Sequence, residues 1–486
     1  MSIQSVDYAV LAPVLVLALG ALVVLVTDLF GRPGSSRPGW VAGIVVLVAG
    51  IAVPQTLDGR TLCVADDGCA YVVDSTAWAF QLIVVSATFV VVLLSASTVA
   101  DDHLPSGEYY FLLLGSAAAA VAVPSTRDLV SLLVVLEVVS LPTFALVAMK
   151  RGDRRAGEAA LKLFLYSVVS VAVALYGVAL VYGSTGSVTL IGIAAAVADP
   201  DVRTPVLAAG LVMVLAVVLF KIAAFPFNAW APDTYQGAPV PVAAYLSVVS
   251  KLAGFAGLVL LASTFAAWPA AWAGVLAVSS AVTMIGANVA ALRQVRAVRL
   301  LAWSSVAQAG YVLVPLAALV DDGRPRVGVL TATVAYLAIY AAMNLGAFSV
   351  VAVVARQHPD PTLADFDGLA RRSPWLGVSM AVFLAALAGL PPGLSGLFAK
   401  VGVLAVPTGT GAWWLAGTMA VATVIGLAYY LPWAARLFRR TPGEERREPA
   451  GPEPVPIGLG AATAVALLVT VVLSVAPGLA FGLIDG

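Results

Sequence analysis

Apolar runs long enough to cross a bilayer recur along almost the whole chain, and this repetition constrains the fold more than any other feature. The runs lie near 8–30, 40–57, 75–99, 109–125, 128–149, 159–182, 204–225, 240–264, 270–292, 300–320, 328–355, 374–406, 412–435 and 456–482. A spanning helix needs ~20 predominantly apolar residues. The chain therefore reads as an all-α polytopic membrane protein with about 14 transmembrane helices. The runs read as helices rather than membrane strands, because they are far longer than the ~10 alternating residues of a barrel strand. The connections are short and read as simple hairpins. Composition agrees: 61% of the 486 residues are hydrophobic and 11% charged, where a soluble domain carries ~25% charged residues. Disorder, a fibrous chain, a disulfide scaffold and a sizeable extramembrane catalytic domain are excluded with it. The first run, Tyr8–Phe30, has only Asp7 before it as a charge and is too long for a signal-peptide core. It reads as a retained helix.

Basic and acidic residues balance, 26 against 26, so no net field recruits nucleic acid. Their placement is more informative, because Lys and Arg in short loops set membrane orientation. With the N-terminus outside, the cytoplasmic loops carry 17 basic residues: Arg32, Arg37, Lys150, Arg151, Arg154, Arg155, Arg293, Arg296, Arg299, Arg356, Arg371, Arg372, Arg436, Arg439, Arg440, Arg446 and Arg447. The outer loops carry 5: Arg60, Arg127, Arg203, Arg324 and Arg326. The expectation is a multi-pass protein of a bacterial cytoplasmic membrane, surrounded by lipid, with both termini outside. The Pro- and Glu-rich segment Thr441–Pro456 reads as a flexible connector. Cys63 and Cys69 share an outer loop and are either a disulfide or two unpaired thiols. Two Cys and two His in separate loops (His103, His358) build no metal site.

The remaining four basic residues are all lysines in or beside apolar runs: Lys162, Lys221, Lys251 and Lys400. Glu137 is the matching acid, near the middle of the fifth run. Each such charge costs ~2.5–3.5 kcal/mol at a helix centre, so five would cost roughly 12–17 kcal/mol if central and unpaired. Accident is a poor explanation. Arginine stays protonated, whereas a desolvated lysine gives up its proton readily and a nearby carboxylate restores it. A row of lysines with one acid is the pattern of a proton relay. Lys162 lies less than one turn inside its run, beside Glu158, and either snorkels or functions. Glu137 and Lys251 are mid-span and cannot snorkel.

Lys221 precedes Phe225-Pro226-Phe227, and Lys400 follows Leu390-Pro391-Pro392-Gly393. Proline and glycine inside a membrane helix free backbone carbonyls, which are tolerated only in a buried or watered cavity. Two interrupted spans, each with a lysine, point to inverted repeats with sites near the midplane. The expected division is residues 1–108 as three leading helices, 109–265 as a first five-helix repeat (helices 4–8), 266–436 as a second, inverted repeat (helices 9–13), and 437–486 as a connector and last helix. Helices 7 and 12 are expected to be discontinuous.

These residues sit in motifs that resemble a known family. The motifs are Glu108-Tyr109-Tyr110, Ser125-Thr126-Arg127-Asp128-Leu129, Leu136-Glu137-Val138-Val139-Ser140-Leu141-Pro142 and Ala159-Ala160-Leu161-Lys162-Leu163-Phe164. They continue with Trp230-Ala231-Pro232-Asp233-Thr234-Tyr235-Gln236-Gly237-Ala238-Pro239, Leu300-Leu301-Ala302-Trp303-Ser304-Ser305-Val306 and Leu387-Ala388-Gly389-Leu390-Pro391-Pro392. Together they resemble the antiporter-like membrane subunits of proton-pumping NADH-quinone oxidoreductase, respiratory complex I. The Tyr-Gln-Gly form points to the subunit N branch. Lys400, where one paralogue carries Glu, and a chain that stops after span fourteen point the same way.

The resemblance implies a relay in which Glu137 and Lys221 are a coupled pair with Lys162 nearby, Lys251 the centre and Lys400 the outer site. It implies helix breaks at Pro226, Pro232, Gly237, Pro239, Pro391, Pro392 and Gly393. It implies a translocase subunit that binds no cofactor itself, with NADH, FMN, iron–sulfur clusters and quinone elsewhere in the complex, and with other membrane-arm and hydrophilic subunits as partners. Two positions depart from the pattern: Asn228 and Gln308 stand where the family often has His. Neither amide titrates, so a histidine-assisted link between the lysines is in doubt. A subunit of a multi-subunit cation/proton antiporter, and a structural membrane scaffold, are the alternative functions.

Overall fold

The computed structural model describes residues 6–31, 35–64, 68–150, 152–318, 327–440 and 455–484. The segment 441–454 of the expected connector lies outside the described residues, as do Arg32, Arg151, Arg324, Arg326, Arg446 and Arg447. Thirteen helices among the described residues are long and apolar enough to cross a membrane.

The chain opens with α1 (Ala12–Leu29) and α2 (Arg37–Ala52), then a hairpin of β1 (Arg60–Val64) and β2 (Gly68–Val72), then α3 (Ser75–Asp101). Next come α4 (Ser106–Ala122), α5 (Leu129–Val147), α6 (Arg154–Thr185), a short α7 (Leu190–Ala198), α8 (Pro205–Ile222) and α9 (Trp230–Gly237). The following crossing joins α10 (Val240–Tyr245), a π-helical turn (Leu246–Ser250) and α11 (Lys251–Thr264). Then follow α12 (Ala273–Ala291), α13 (Ala297–Ala317), α14 (Val327–Ala355), one turn α15 (Leu369–Arg372), α16 (Pro374–Ala388), α17 (Leu394–Gly409), α18 (Trp413–Arg436) and α19 (Ile457–Val475). The fourteenth crossing is the pair α16 and α17, each too short to span alone.

Helix starts follow local side-chain chemistry. Asp74, Asp128, Asp153, Thr189 and Thr204 each accept a hydrogen bond from a first-turn backbone N–H, the N-cap that satisfies an otherwise orphaned donor. The Asp153 cap starts α6 at Arg154, five residues before its apolar run. Lys162, less than one turn inside the apolar run, therefore lies more than two turns inside the helix. The polar first turns extend the helix because Glu158 and Lys162 pair at i,i+4 along it.

The two interrupted spans end alike. α8 closes on Ala223 in the left-handed region (φ 57°) and α16 on Gly389 (φ 81°), with Pro226 and Pro391-Pro392 just beyond. Pro232 lies in the first turn of α9, where its missing N–H costs nothing. Gly237 ends α9, Pro239 precedes α10 and Gly393 precedes α17.

Connections alternate between two ends of the bundle. At one end ion pairs tie them together: Lys150–Asp102, Arg356–Asp101, Arg155–Asp360 and Arg436–Asp367. At the other end, β2 meets Thr126 through Tyr71, Asp128 meets Thr189, and Arg127 pairs with Asp74 at 2.7 Å. Among the described residues, three connections are more than simple hairpins. One forms the β1–β2 pair, with Cys63 opposite Cys69 and joined to it as a disulfide. Another holds α7, and a third holds α15. Hydropathy alone misses these because none of the three is a membrane run.

The centre of the bundle is α10–α11, α13 and α14. α13 is buried on nearly every side, while α1, α2 and α19 bury one face only. A helix apolar all round belongs at such a centre. Most of the buried polar groups that matter below project from these central helices.

Candidate functional site

Glu137 projects from the middle of α5 and Lys221 from the last turn of α8. Glu137 Oε1 lies 3.6 Å from Lys221 Nζ. The lysine side chain is 2% exposed and the glutamate 22%. Ser167 on α6 donates its hydroxyl toward Glu137 Oε2 at 3.2 Å. Lys221 Nζ makes no hydrogen bond among the described residues, although Phe220 brings its ring to 5.6 Å. The ammonium is in charge contact with its acid without being locked to it.

Lys251 opens α11, immediately after the π-helical turn. Turns of this kind displace a side chain from the regular helical wheel and recur at functional sites. Lys251 Nζ donates to the Ser305 carbonyl at 2.5 Å and to Ser305 Oγ at 2.7 Å. The Tyr340 hydroxyl stands 2.8 Å from Ser305 Oγ and 3.0 Å from the Ser247 carbonyl. No carboxylate lies within ion-pair distance of Lys251 among the described residues. Lys221 and Lys251 come from helices in tight contact. A methyl group on Gly254, one turn beyond Lys251, would stand 2.8 Å from Lys221 Cβ. Only glycine allows that approach.

Lys400 sits in the second turn of α17 and reaches back across the break to donate to the Ala388 carbonyl at 2.8 Å. Its ammonium lies 5.2 Å from the Tyr311 ring centroid. Gly389 in the left-handed region makes room for the lysine stem; a Cβ there would lie 3.1 Å from Lys400 Cδ. Gln308 Nε2 takes the neighbouring freed carbonyl, Leu387 O, at 3.3 Å and lies 3.4 Å from the Tyr430 hydroxyl. Tyr336 donates to Gln308 Oε1, and Ser304 shares a hydrogen bond with Tyr430. At the first break the carbonyl of Phe220, which also accepts from Ala223 N–H, takes a second hydrogen bond from Trp230 Nε1 at 3.1 Å.

The structure thus brings Glu137 to Lys221, and places two buried polar clusters on α13, one at Ser305 holding Lys251 and one at Gln308 beside the break that Lys400 reaches. It does not bring Lys162 to Glu137. Lys162 is 40% exposed and pairs at 2.7 Å with both Glu158 and Asp233. Asn228, in the first break, is half-buried, whereas Gln308 is 1% exposed inside its cluster. Sequence reasoning missed Ser305, Tyr340, Tyr336, Tyr430 and Ser167. Ser and Tyr are common in helices, and the only available signal was the i,i+4 spacing of Tyr336 and Tyr340 on an apolar helix. It also passed over Asp233, a charge inside a motif it had singled out.

Residues 126–426 match the family described as NADH:quinone oxidoreductase/Mrp antiporter, TM. NADH-quinone oxidoreductase subunit N 2 of Streptomyces griseus subsp. griseus is 48% identical over 455 residues, covering 91% of this chain and 84% of that protein. The chain belongs to the subunit N family of NADH-quinone oxidoreductase. Subunit N of Salinispora tropica is 41% identical over 446 residues, covering 90% of this chain and 86% of that one. A chain of respiratory complex I from Thermus thermophilus with bound aureothin superposes with a TM-score of 0.78 at 30% identity, over 96% of this chain and 98% of that one. A chain of the Mrp complex from Dietzia sp. superposes with a TM-score of 0.82 at 20% identity, over 98% and 96%. The fold is common to both kinds of complex, so sequence identity, not shape, places this chain with subunit N.

Proposed function

We propose that this chain is a proton-translocating membrane-arm subunit of NADH-quinone oxidoreductase, with a Lys/Glu relay running through its centre. The observation that carries the reading is the Glu137–Lys221 contact of 3.6 Å, together with Lys251 and Lys400, two buried lysines that among the described residues have only hydroxyl, carbonyl and aromatic company. At 3.6 Å the pair's interaction is steep in distance. When Glu137 stands against Lys221 the pair holds a proton; when they part, the proton moves to Lys251 and on to Lys400. Lys400 exchanges with the outer side. Redox chemistry belongs to other subunits, where NADH, FMN, iron–sulfur clusters and quinone act. Their free energy arrives here as an electrostatic or conformational change along the membrane arm.

Glu137 also speaks for an assembly. It sits mid-span among Val130, Val134, Val138 and Leu141, all of them exposed. An ionised carboxylate against hydrocarbon is expensive, so this face of α5 meets another subunit rather than lipid. The basic end of the bundle faces the cytoplasm by the bias of Lys and Arg, which leaves the β1–β2 hairpin and both termini outside. The expected division is the leading three helices, two inverted five-helix repeats, and a last helix.

An Mrp-type cation/proton antiporter subunit is the second reading, favoured by the shared fold alone. The experiment is Lys251→Ala in the assembled complex. Quinone-linked proton pumping is expected to be lost; normal pumping by a fully assembled Lys251→Ala complex would sink the relay. Copurification with only small membrane subunits would favour the antiporter.

A further inference from the structure

We propose that Asp233 is a positioning residue for the Glu137–Lys221 pair, acting through α9 on the backbone that carries Lys221. The inference rests on the relay reading above. Asp233 is one anion shared by two cations on two different helices. Its Oδ2 accepts from Lys162 Nζ of α6 at 2.7 Å, and its Oδ1 accepts from Arg299 Nη1 of α13 at 2.7 Å. Gln236, on the same short helix, donates to Asp360, which also pairs with Arg155 at 3.1 Å and Arg296 at 3.2 Å. Thr234 Oγ1 reaches Ala159 O of α6 at 3.5 Å. The polar side of α9 is thereby clamped between α6 and the start of α13.

The other side of α9 grips the break. Trp230, three residues before Asp233, donates to Phe220 O and packs its ring 5.3 Å from that of Phe220. Tyr235 closes on the same indole at 6.1 Å. Phe220 is the residue before Lys221, and its carbonyl also accepts from Ala223 N–H, the cap that closes α8 at the break. A displacement of Asp233 is therefore delivered, within one turn of a rigid helix, to the peptide that positions Lys221. Its effect is large there because Lys221 Nζ is tethered by no hydrogen bond among the described residues and sits at the edge of contact with Glu137. Losing the anion also unties α6 from α13, since Lys162 keeps only Glu158 of its own helix and Arg299 loses its partner on α9.

The test uses the whole complex in sealed membrane vesicles, with pumping and quinone reduction measured per assembled complex. Asp233→Asn is expected to lower the ratio of protons pumped to quinone reduced, by up to about tenfold. Asp233→Glu is expected to restore most of it. Trp230→Phe, which keeps the ring and removes the Nε1 donor, is expected to lower the same ratio. The double variant is expected to fall no further than the worse single one, because both act on one linkage. A purely structural role predicts less assembled complex with an unchanged ratio, and that outcome overturns the proposal. So does a normal ratio in Trp230→Phe, which decides the matter if Asp233→Asn fails to assemble, and so does full additivity of the two changes. Lys251→Ala in parallel separates the two levels: if it pumps normally the relay itself fails, and if it is inactive while Asp233→Asn is normal only this inference fails.

Discussion

Lys221 is the buried member of its ion pair and Glu137 the accessible one: 2% against 22% exposed, at 3.6 Å. The asymmetry assigns them different freedoms. The lysine is enclosed and follows the backbone that carries it, whereas the glutamate can be drawn away by whatever covers α5. Removing one member of a buried pair is the costly change, at ~3–5 kcal/mol, because it strands the other charge.

Glu137→Gln keeps the volume and the contact with Ser167 but removes the charge. Pumping is expected to fall at least about tenfold, the loss expected for a group that takes part in proton transfer. The double change Glu137→Gln, Lys221→Met is expected to recover complex yield and thermal stability without recovering pumping. Recovery of pumping in the double variant would show that the pair only supports packing.

Gly254→Ala places a methyl group 2.8 Å from Lys221 Cβ and 2.7 Å from Ile222 Cγ2. Such overpacking costs about 1–3 kcal/mol and moves α8 away from α11. Thermal inactivation of the complex is expected at a lower temperature, together with slower proton transfer. Gly286→Ala, a control where nothing lies within 4 Å of the added Cβ, is expected to match the unaltered protein in both measurements.

Gln308→Leu removes the donor that holds Leu387 O and the acceptor that holds Tyr336. Buried groups left unsatisfied cost about 1–3 kcal/mol, so the expected outcome is a less stable complex with impaired pumping. Gln308→His retains a donor for the carbonyl and is expected to pump. If Gln308→Leu pumps at the normal rate, the Gln308 cluster is not part of the path.

Orientation is open to a direct check. In a background with Cys63 and Cys69 replaced, single cysteines at Arg60 and at Arg155 lie at opposite ends of the bundle. A membrane-impermeant thiol reagent added to intact cells is expected to label the first and spare the second. The reverse pattern would invert the chain in the membrane.

The spans were legible because a bilayer accepts little besides long apolar helices, and the lysines because a charge in such a run has few innocent explanations. Lys221, Lys251 and Lys400 stood out for that reason, and Glu137 with them. The hydroxyls between them did not stand out. Ser305 and Tyr340 are ordinary helical residues until the fold puts them beside Lys251, and periodicity carries no record of which helix will be the neighbour. The extent of α6 before Lys162 was not legible: hydropathy begins the helix where the apolar run begins, whereas the Asp153 cap begins it earlier. Asp233 was passed over because a charge between two runs looks like a solvated loop residue, and only the folded chain places it against Lys162 and Arg299.

The π-helical turn Leu246–Ser250 has a consequence for how this crossing can change over time. Each residue of a regular helix advances the side-chain direction by about 100°, and the extra residue of the wide turn shifts everything after it by one such step. Lys251 and Gly254 lie downstream together, so a single register carries both the ammonium aimed at Ser305 and the gap that admits Lys221. Point substitutions can alter one partner at a time. Loss of one residue from the turn would rotate both out of place at once, which makes chain length through these five positions as constrained as any side chain in either cluster.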